Sequence, residues 1–312
     1  MTHTILTIGE ILVEIMATTT GAGFREPLPL VGPFPSGAPA IFIDQVARQG
    51  APAAMIGCVG DDDFGRVNVE RLRADGVDVR GITVHPDAVT GSAFVRYRPD
   101  GARDFVFNIR HSANAHVRLD AVAQQVLVEA RHLHVVGSSL VSPGIVAAIR
   151  EAVGVIKAGG GTVSFDPNVR KEILATAGVR ELLEWVIDRT DLHLPSGDEL
   201  LLFSASGDAD TAARELLARG VKAIVHKQGA AGARYMDATR RIEQAGFAVE
   251  EVDPTGAGDI FGATFVAGWV RGDEPAALLR RANAAGALAV TKRGPMEGVS
   301  TAGEVEALLA GR

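Results

Sequence analysis

The chain has 312 residues, of which 47% are hydrophobic and 36 are glycine, so it is long and apolar enough to bury a large core. Its net charge of −7 argues against nucleic acid or an anionic membrane surface as the main partner. The single cysteine, Cys58, excludes an intrachain disulfide, and Glu10 and Glu14 within Ile5–Met16 are untypical of a signal peptide or membrane span, so we expect a cytoplasmic protein.

Short apolar runs alternate with amphipathic stretches, which is typical of a mostly parallel sheet covered by helices on both faces. The predicted strands are Thr4–Ile8, Ala53–Gly57, His132–Val136, Thr162–Phe165, Asp191–Leu194 and Lys222–His226. The predicted helices include Ala38–Gln49, Phe64–Ala74, Pro143–Lys157, Arg180–Arg189 and Thr211–Arg219. Because we find no internal repeat or charged linker, we predict a single α/β domain over residues 1–312.

One stretch departs from this alternation. Ser92–Arg98 and Arg103–Asn108 have the pattern of two strands, and Pro99-Asp100-Gly101 between them is a strong turn signal. Together with Glu10–Val31, they predict a small antiparallel sheet beside the main one. This sheet would form a discontinuous lid from about residues 10–34 and 90–113. A hairpin without a role in closure is the alternative.

Most of the predicted strands end in a polar or glycine-rich cluster. These clusters are Gly57–Asp62, Gly137–Ser139, Asp166–Arg170, Pro195–Glu199 and Lys227–Gly229. Ordinary loop chemistry would explain any one of them. In open α/β sheets, however, ligands bind outside the carboxyl ends of the strands. Five such clusters at one edge therefore predict a binding site there.

The segment Asp253–Gly262 is the strongest local motif. Gly256 and Gly258 precede the apolar stretch Ile260–Val270, which predicts a tight turn into a buried helix. The first N–H groups of a helix have no intrahelical partner and attract an anion. A carboxylate such as Asp259 beside that anion can take a proton from a nucleophile, which points to phosphoryl transfer. A purely structural helix start is the alternative.

Two other glycine motifs do not fit this segment. A dinucleotide-binding fingerprint has two residues between its second and third glycines, whereas three separate Gly258 from Gly262. A Walker A loop requires Gly-Lys followed by Ser or Thr, and the chain contains no such run. A dinucleotide-dependent oxidoreductase is therefore disfavoured.

Asp253–Gly262 resembles the C-terminal signature of the pfkB (ribokinase-like) carbohydrate kinases. Val59–Gly65 followed by Leu72–Val77, the Asp-Pro-Asn-x-Arg run Asp166–Arg170, and Asn283–Gly286 are similar to further family elements in the same order. The resemblance covers essentially the whole chain and is closest to fructokinases, tagatose kinases and 2-keto-3-deoxygluconate kinases. It implies a ribokinase-like, doubly wound α/β fold with a β lid, Mg²⁺-ATP as the phosphoryl donor and a sugar hydroxyl as the acceptor.

The resemblance also implies roles for individual residues. Asp259 would be the general base, and Gly256, Ala257 and Gly258 would bind the charge on the transferred phosphoryl group. ATP would be bound by those glycines and by Ser196, Lys227, Gly229, Gly232 and Asn283. Glu199 would hold Mg²⁺ through water, because Mg²⁺ keeps several waters and few protein ligands. Asp253 and Thr255 match a monovalent-cation site, such as one for K⁺; a turn aspartate and a capping threonine are the alternative.

The acceptor side departs from the family pattern. Ile41 stands where sugar kinases usually have an asparagine that bonds sugar hydroxyls, and Ser196 replaces the asparagine of the Asn-x-x-Glu motif. The predicted acceptor contacts, together with Asp259, are Glu14, Gly37, Asn108, Arg110 and Arg170.

We predict a ketohexose such as fructose or tagatose as the acceptor. 2-Keto-3-deoxygluconate is next, because Arg110 and Arg170 could bind its carboxylate. A non-catalytic sugar sensor on the same fold is the alternative from another class, but a sensor has no need of Asp259. An exposed lid also leads us to expect a homodimer formed through the lid.

Overall fold

The computed structural model describes residues 4–169 and 178–311. The strands are β1 (Thr4–Ile8), β2 (Leu12–Ala17), β3 (Leu30–Ser36), β4 (Ala53–Gly60), β5 (Asp78–His85), β6 (Gly91–Tyr97), β7 (Arg103–Asn108), β8 (Ala130–Val136), β9 (Thr162–Asp166), β10 (Leu192–His193), β11 (Ala223–Lys227), β12 (Ala233–Asp237) and β13 (Arg241–Gln244). The α-helices are α1 (Ala38–Arg48), α2 (Asp63–Ala74), α3 (Ala121–Glu129), α4 (Pro143–Ala158), α5 (Val179–Ile187), α6 (Ala209–Ala218), α7 (Ala257–Arg271), α8 (Pro275–Val290) and α9 (Ala302–Leu309).

The main sheet has nine strands in the order β13-β12-β11-β10-β9-β8-β1-β4-β5. The pairs from β11 to β5 are parallel, while β12 and β13 add two antiparallel strands at one edge. The carboxyl ends of the parallel strands therefore meet along one edge of the sheet. This confirms the predicted doubly wound, mostly parallel architecture and brings the polar strand ends to a common edge.

Helices cover both faces of the sheet, and alternate residues of a strand pack into two separate hydrophobic cores, one on each face. In β1, Leu6 and Ile8 pack with α3, α4, α5 and α6, whereas Ile5 packs with α1, α7, α8 and α9. This alternation follows from the two-residue side-chain period of a strand. Within residues 4–169 and 178–311, no helix has the length and apolarity that crossing a membrane requires.

The second sheet has four strands in the order β3-β2-β6-β7. Its outer pairs, β2–β3 and β6–β7, are antiparallel, and its central strands β2 and β6 run parallel. These strands lie within the two segments predicted for the lid, except that β3 continues to Ser36. We refer to this four-stranded sheet as the lid.

Most predicted elements are present with ends shifted by up to three residues, but β5, β12, β13, α3, α8 and α9 were not predicted. The predicted strand Asp191–Leu194 is reduced to Leu192–His193. The reason lies in Asp191, whose carboxylate accepts a hydrogen bond from the backbone N–H of Val163 at 2.8 Å and pairs with Lys157 at 2.9 Å. A side chain therefore takes over a contact that a continuing strand would make.

Candidate active site

The glycine turn before α7 has the geometry that its sequence predicts. Gly256 caps the helix with a left-handed φ of 79°, and a Cβ atom there would lie 2.6 Å from the carbonyl oxygen of Pro295. Only glycine fits such a position without strain. Helical hydrogen bonding begins at Ile260, whose N–H donates to the Gly256 carbonyl at 2.9 Å, so the preceding N–H groups lie at the open end of the helix.

Ile41 explains one departure from the family pattern. This side chain is buried in the α1 and α7 core, and its Cγ2 atom would be 3.3 Å from a Cβ atom on Gly256. Ile41 therefore packs beneath the glycine turn. An apolar residue at this position supports the turn and offers no hydrogen bond to a ligand.

Asp259 lies in the first turn of α7 and is only 9% exposed. Burial raises the pKa of Asp259 well above its usual range, and the negative charges of Asp166, Glu10 and Glu14 raise it further. The positive charge of Lys227 opposes this rise. The carboxyl group is thus held among other acids with one cation beside it, an arrangement that suits a group that gains and loses a proton.

Lys227, at the end of β11, connects this carboxyl group to β9. Its buried ammonium is paired with the carboxylate of Asp166 and would be 3.7 Å from a Cβ atom on Gly258. Burial alone would lower the pKa of Lys227, but the charges of Asp166 and Glu199 outweigh burial and raise this pKa. Lys227 therefore remains a cation directly beside the open end of α7.

Asp166 and Asn168 are site residues that the sequence analysis did not assign. The Asn168 amide donates to Asp259 Oδ1 at 3.4 Å, and its φ of 39° is left-handed, which asparagine tolerates better than most residues. The Asp166 carboxylate accepts from the Asn168 N–H at 3.2 Å. The Asp-Pro-Asn run after β9 was the available signal, because it placed two short polar side chains at a strand end.

Glu199 lies on the same edge, in a short 3₁₀ helix after β10. Its two carboxylate oxygens accept backbone N–H groups from Val169 and Ser196, each at 2.8 Å. Burial, reinforced by the nearby charge of Asp166, raises the pKa of Glu199. The side chain of Glu199 is fixed but keeps lone pairs on both oxygens, so together with Asp166 it offers the hard oxygen donors that suit Mg²⁺ held through water.

No cluster of three direct metal-ligand side chains occurs in the described part of the chain. A metal at this edge would thus depend on waters and phosphate oxygens for most of its ligands, as Mg²⁺ commonly does.

The residues predicted to bind ATP lie on one side of this cluster. Gly229 and Gly232 shape the turn after Lys227, with φ values of 57° and 105°. A Cβ atom on Gly232 would lie 2.1 Å from the carbonyl oxygen of Gln244, so the chain is closely packed there. The Asn283 amide, from α8, donates to the same Gln244 carbonyl at 3.2 Å. The structure therefore brings Asn283 to the β11–β12 turn.

Glu14 lies on β2 of the lid and Gly37 precedes α1, and the charge of Glu14 acts on Asp259. The Glu14 carboxylate accepts from the Ser36 hydroxyl at 3.1 Å. Gly37 caps α1 with a φ of 111°, and a Cβ atom on it would lie 2.5 Å from the Glu10 carbonyl oxygen. Glu10 itself is buried and accepts from the Ser138 hydroxyl at 3.1 Å and from the Ser139 hydroxyl. Sequence analysis did not include Glu10 in the site.

Asn108 is a predicted acceptor contact that the register of the lid keeps away from Glu14. β7 pairs Asn108 with Ser92, and β2 pairs Ser92 with Val13, the neighbour of Glu14. Because successive strand residues face opposite sides of a sheet, Asn108 and Glu14 lie on opposite faces of the lid. The Asn108 amide donates to the Ser92 hydroxyl at 3.3 Å. Asn108 and Glu14 therefore project from different faces of the lid, and the acceptor contact of each stays a prediction.

Of the two arginines predicted to bind a carboxylate, Arg110 is the one that lies in the described part of the chain. Arg110 is exposed and lines a cleft of about 730 Å³ at the end of the lid, together with Asp62, Asp63, Phe64, Val89, Thr90, Ser92, Phe107, Asn108, Ile109, His111 and Ser112. Asp259 is not among these residues. Arg170 lies outside the described residues.

Asp253 and Thr255 form a tight cluster with the lid. The buried Asp253 carboxylate accepts from the Tyr97 hydroxyl at 2.5 Å, from the Thr255 N–H at 3.0 Å and from the Gly294 N–H at 2.9 Å. The Thr255 hydroxyl accepts from the Arg103 guanidinium at 3.3 Å. A monovalent cation at these residues would have to share their oxygens with these donors.

Comparison with known proteins agrees with this geometry. Residues 3–302 match the family described as pfkB family carbohydrate kinase. Fructokinase-1 of Zea mays is 30% identical over 318 residues, which cover 98% of this chain and 97% of that protein. A proposed ribokinase II from E. coli, solved with ATP and Mg²⁺, is 48% identical with a TM-score of 0.94 and covers 99% of this chain and 100% of its own.

A fructokinase from Xylella fastidiosa with bound ATP is 27% identical, has a TM-score of 0.86 and covers 100% of this chain and 99% of its own. Together, these matches confirm the ribokinase-like fold and the predicted class of enzyme. The chain belongs to the pfkB family of carbohydrate kinases and is a phosphotransferase with a sugar hydroxyl as acceptor.

Proposed function

We propose that this kinase transfers the γ-phosphoryl group of Mg²⁺-ATP to a hydroxyl of a ketohexose, with fructose and tagatose as the first candidates. One observation carries the proposal: a buried carboxyl group of raised pKa, Asp259, stands at the open N-terminus of α7 beside the ammonium of Lys227. Phosphoryl transfer needs a proton acceptor and positive potential at the same point, and this arrangement supplies both.

In the proposed mechanism, Asp259 takes the proton from the attacking sugar hydroxyl. The N–H groups of Gly256, Ala257 and Gly258 stabilise the charge on the transferred phosphoryl group, and Lys227 attracts the phosphates. The donation of Ala257 to the Pro254 carbonyl is long, at 3.4 Å, so this N–H can turn to a phosphate oxygen. Glu199 and Asp166 would hold Mg²⁺ through water, and the ion would supply positive charge against the phosphates. A lid closed over the sugar excludes water and suppresses ATP hydrolysis.

The identity of the sugar rests on relatives and on the acceptor side of the site. The maize relative is named a fructokinase, which supports a ketohexose, and the E. coli relative is named a ribokinase, which makes ribose the necessary competitor. Glu14, which accepts from the Ser36 hydroxyl and whose charge acts on Asp259, is the proposed acceptor for a sugar hydroxyl. One observation favours a sugar acid such as 2-keto-3-deoxygluconate: the Arg110 guanidinium lines the cleft at the end of the lid.

The test is Mg²⁺-ATP turnover with fructose, tagatose, psicose, ribose, 2-keto-3-deoxygluconate and adenosine, each with wild type and Asp259→Asn. We expect one ketohexose to give the highest kcat/KM, and Asp259→Asn to lose most turnover while it still binds ATP. Ribose or the sugar acid as best substrate would overturn the ketohexose assignment. Unchanged turnover in Asp259→Asn would overturn the role of the base.

The proposal also includes a single domain over residues 1–312, a cytoplasmic location and a homodimer formed through the lid. The buried thiol of the single cysteine is compatible with a reducing compartment. Val106 and Phe107 on the edge strand β7 are 46% and 45% exposed, which offers apolar surface to a second copy. Sedimentation of wild type and Val106→Glu would test the dimer.

A further inference from the structure

The lid touches the turn that leads into α7 at two points. The Tyr97 hydroxyl, at the end of β6, donates to Asp253 Oδ1 at 2.5 Å and lies 3.2 Å from the Thr255 hydroxyl. Arg103, at the start of β7, donates to the same Thr255 hydroxyl at 3.3 Å. Tyr97 and Arg103 are paired across the β6–β7 hairpin and so project from one face of the lid.

Asp253 joins three separate segments of the chain. One oxygen accepts from Tyr97 of the lid and from the N–H of Thr255, while the other accepts from the N–H of Gly294. The next residue, Pro295, has its carbonyl oxygen packed against Gly256. Asp253 therefore fixes both loops that enclose the glycine turn, and it is only 1% exposed.

We propose that Tyr97 is a positioning residue for phosphoryl transfer, whose hydroxyl, acting through Asp253, holds the Gly256–Gly258 turn in its binding geometry when the lid is closed. This inference rests on the proposed function of that turn. Tyr97 touches no reacting atom in the proposed mechanism. Its effect passes through the carboxylate of Asp253, which also accepts from the N–H groups of Thr255 and Gly294 in the two loops beside the turn.

The chemistry of the contact suits such a role. A hydrogen bond to an ionised carboxylate is shorter and stronger than one between neutral groups. The Tyr97 hydroxyl reaches Asp253 Oδ1 at 2.5 Å, the length of a short and strong hydrogen bond. The donors of the turn must be aimed at the phosphoryl group before it arrives, and loss of one anchor on Asp253 would let them move.

The chain offers a matched control, because it has only two tyrosines. Tyr235, on β12, also donates to an aspartate, Asp237, at 2.8 Å, and packs against Phe265 away from the glycine turn. Tyr97→Phe and Tyr235→Phe therefore remove the same atom and the same type of hydrogen bond. Of these two variants, only Tyr97→Phe removes the hydrogen bond between the lid and Asp253.

The experiment compares kcat, KM for ATP and sugar, and the melting temperature of wild type, Tyr97→Phe and Tyr235→Phe. We expect Tyr97→Phe to lower kcat about tenfold, as loss of one charged hydrogen bond to a positioning carboxylate implies, with KM for ATP within about twofold. Tyr235→Phe keeps the wild-type kcat. A role limited to anchoring the lid would instead raise KM for the sugar and leave kcat unchanged, which would overturn the proposal.

Hydrogen exchange of the peptide spanning residues 254–259 provides a readout that does not depend on turnover. We expect faster exchange in Tyr97→Phe than in wild type, and no change in Tyr235→Phe. Equal exchange in all three proteins would overturn the inference even if no sugar in the panel were phosphorylated. If Tyr97→Phe phosphorylates a sugar as fast as wild type, the inference is overturned and the proposed function stands. If wild type phosphorylates no sugar in the panel, only the proposed substrate is overturned.

Discussion

The ammonium of Lys227 lies between the carboxylate of Asp166, with which it is paired, and the exposed Gly258, where a Cβ atom would be 3.7 Å away. The space above Gly258 is thus bounded by a fixed cation on one side and by open helix N–H groups on the other. A phosphoryl group would meet positive potential from both directions. Substitutions of the two turn glycines and of Lys227 therefore distinguish effects on turnover and ATP binding from effects on folding stability.

Gly256→Ala and Gly258→Ala should have different consequences although they lie two residues apart. Gly258 has only ordinary contacts at its Cβ position, so Gly258→Ala should fold normally and lose turnover about 100-fold, because the methyl group displaces the phosphoryl group. Gly256→Ala should also lose about 1–2 kcal/mol of stability, since φ is 79° and Pro295 is in the way. Urea unfolding and turnover measure both effects; equal stability losses would contradict this assignment.

Lys227→Met should weaken both folding and nucleotide binding. It leaves the buried Asp166 without its partner, which costs about 3–5 kcal/mol when a buried ion pair is broken from one side. The double variant Lys227→Met/Asp166→Asn removes both charges and should recover part of that stability. ATP affinity, measured by calorimetry, should stay low in both variants. Recovery of ATP affinity in the double variant would show that Lys227 does not bind phosphate.

The activity should depend on pH through Asp259. A base must be deprotonated to act, and the pKa of Asp259 is raised, so kcat/KM should fall with decreasing pH at a midpoint above the ordinary aspartate value. Glu10 contributes to this raised pKa, so Glu10→Gln should move the midpoint to lower pH. Glu151→Gln, on the exposed surface of α4, serves as the control. Identical profiles for wild type and Glu10→Gln would argue against Asp259 as the titrating base.

Sequence reasoning was most successful where the chemistry is local. The glycine turn and Asp259 lie within four consecutive residues, so spacing alone predicts a tight turn, an open helix end and a carboxylate beside it. The polar strand ends were likewise predictable, because a parallel sheet brings all its carboxyl ends to one edge. These features need no knowledge of which distant residues meet.

The remaining parts of the site depend on distant contacts. The register of β7 on β6 determines which face of the lid Asn108 occupies. A shift of one residue in that register would place Asn108 on the other face. Tyr97 and Asp253 are 156 positions apart, and Lys227 and Asp166 are 61 positions apart. The sequence does not show which partner each side chain meets. The packing of the lid against the turn before α7 brings Tyr97 to Asp253, whereas the strand order of the main sheet, with β10 between β9 and β11, brings Lys227 to Asp166.

The last prediction concerns stability in acid. Burial lowers the pKa of His132 and of His193 to about 3, and burial lowers the pKa of His134 as well. As the pH falls below about 6.5, histidines of the unfolded chain bind protons, whereas the folded protein protonates these three only at lower pH, near pH 3 for His132 and His193. Folding stability should be fully present above about pH 6.5 and decline as the pH falls, by up to about 1.4 kcal/mol per pH unit for each histidine.

His193→Met tests this account, because His193 lies between the rings of Phe165 and Phe203, at 5.7 and 5.8 Å, where a flexible apolar side chain can pack. Urea unfolding between pH 7 and pH 4.5 should show a shallower loss of stability in this variant than in wild type, by about one bound proton. His111→Asn, at an exposed position, should keep the wild-type slope. If His193→Met also keeps that slope, His193 does not contribute to the acid sensitivity, and the account is wrong for the buried histidine of β10.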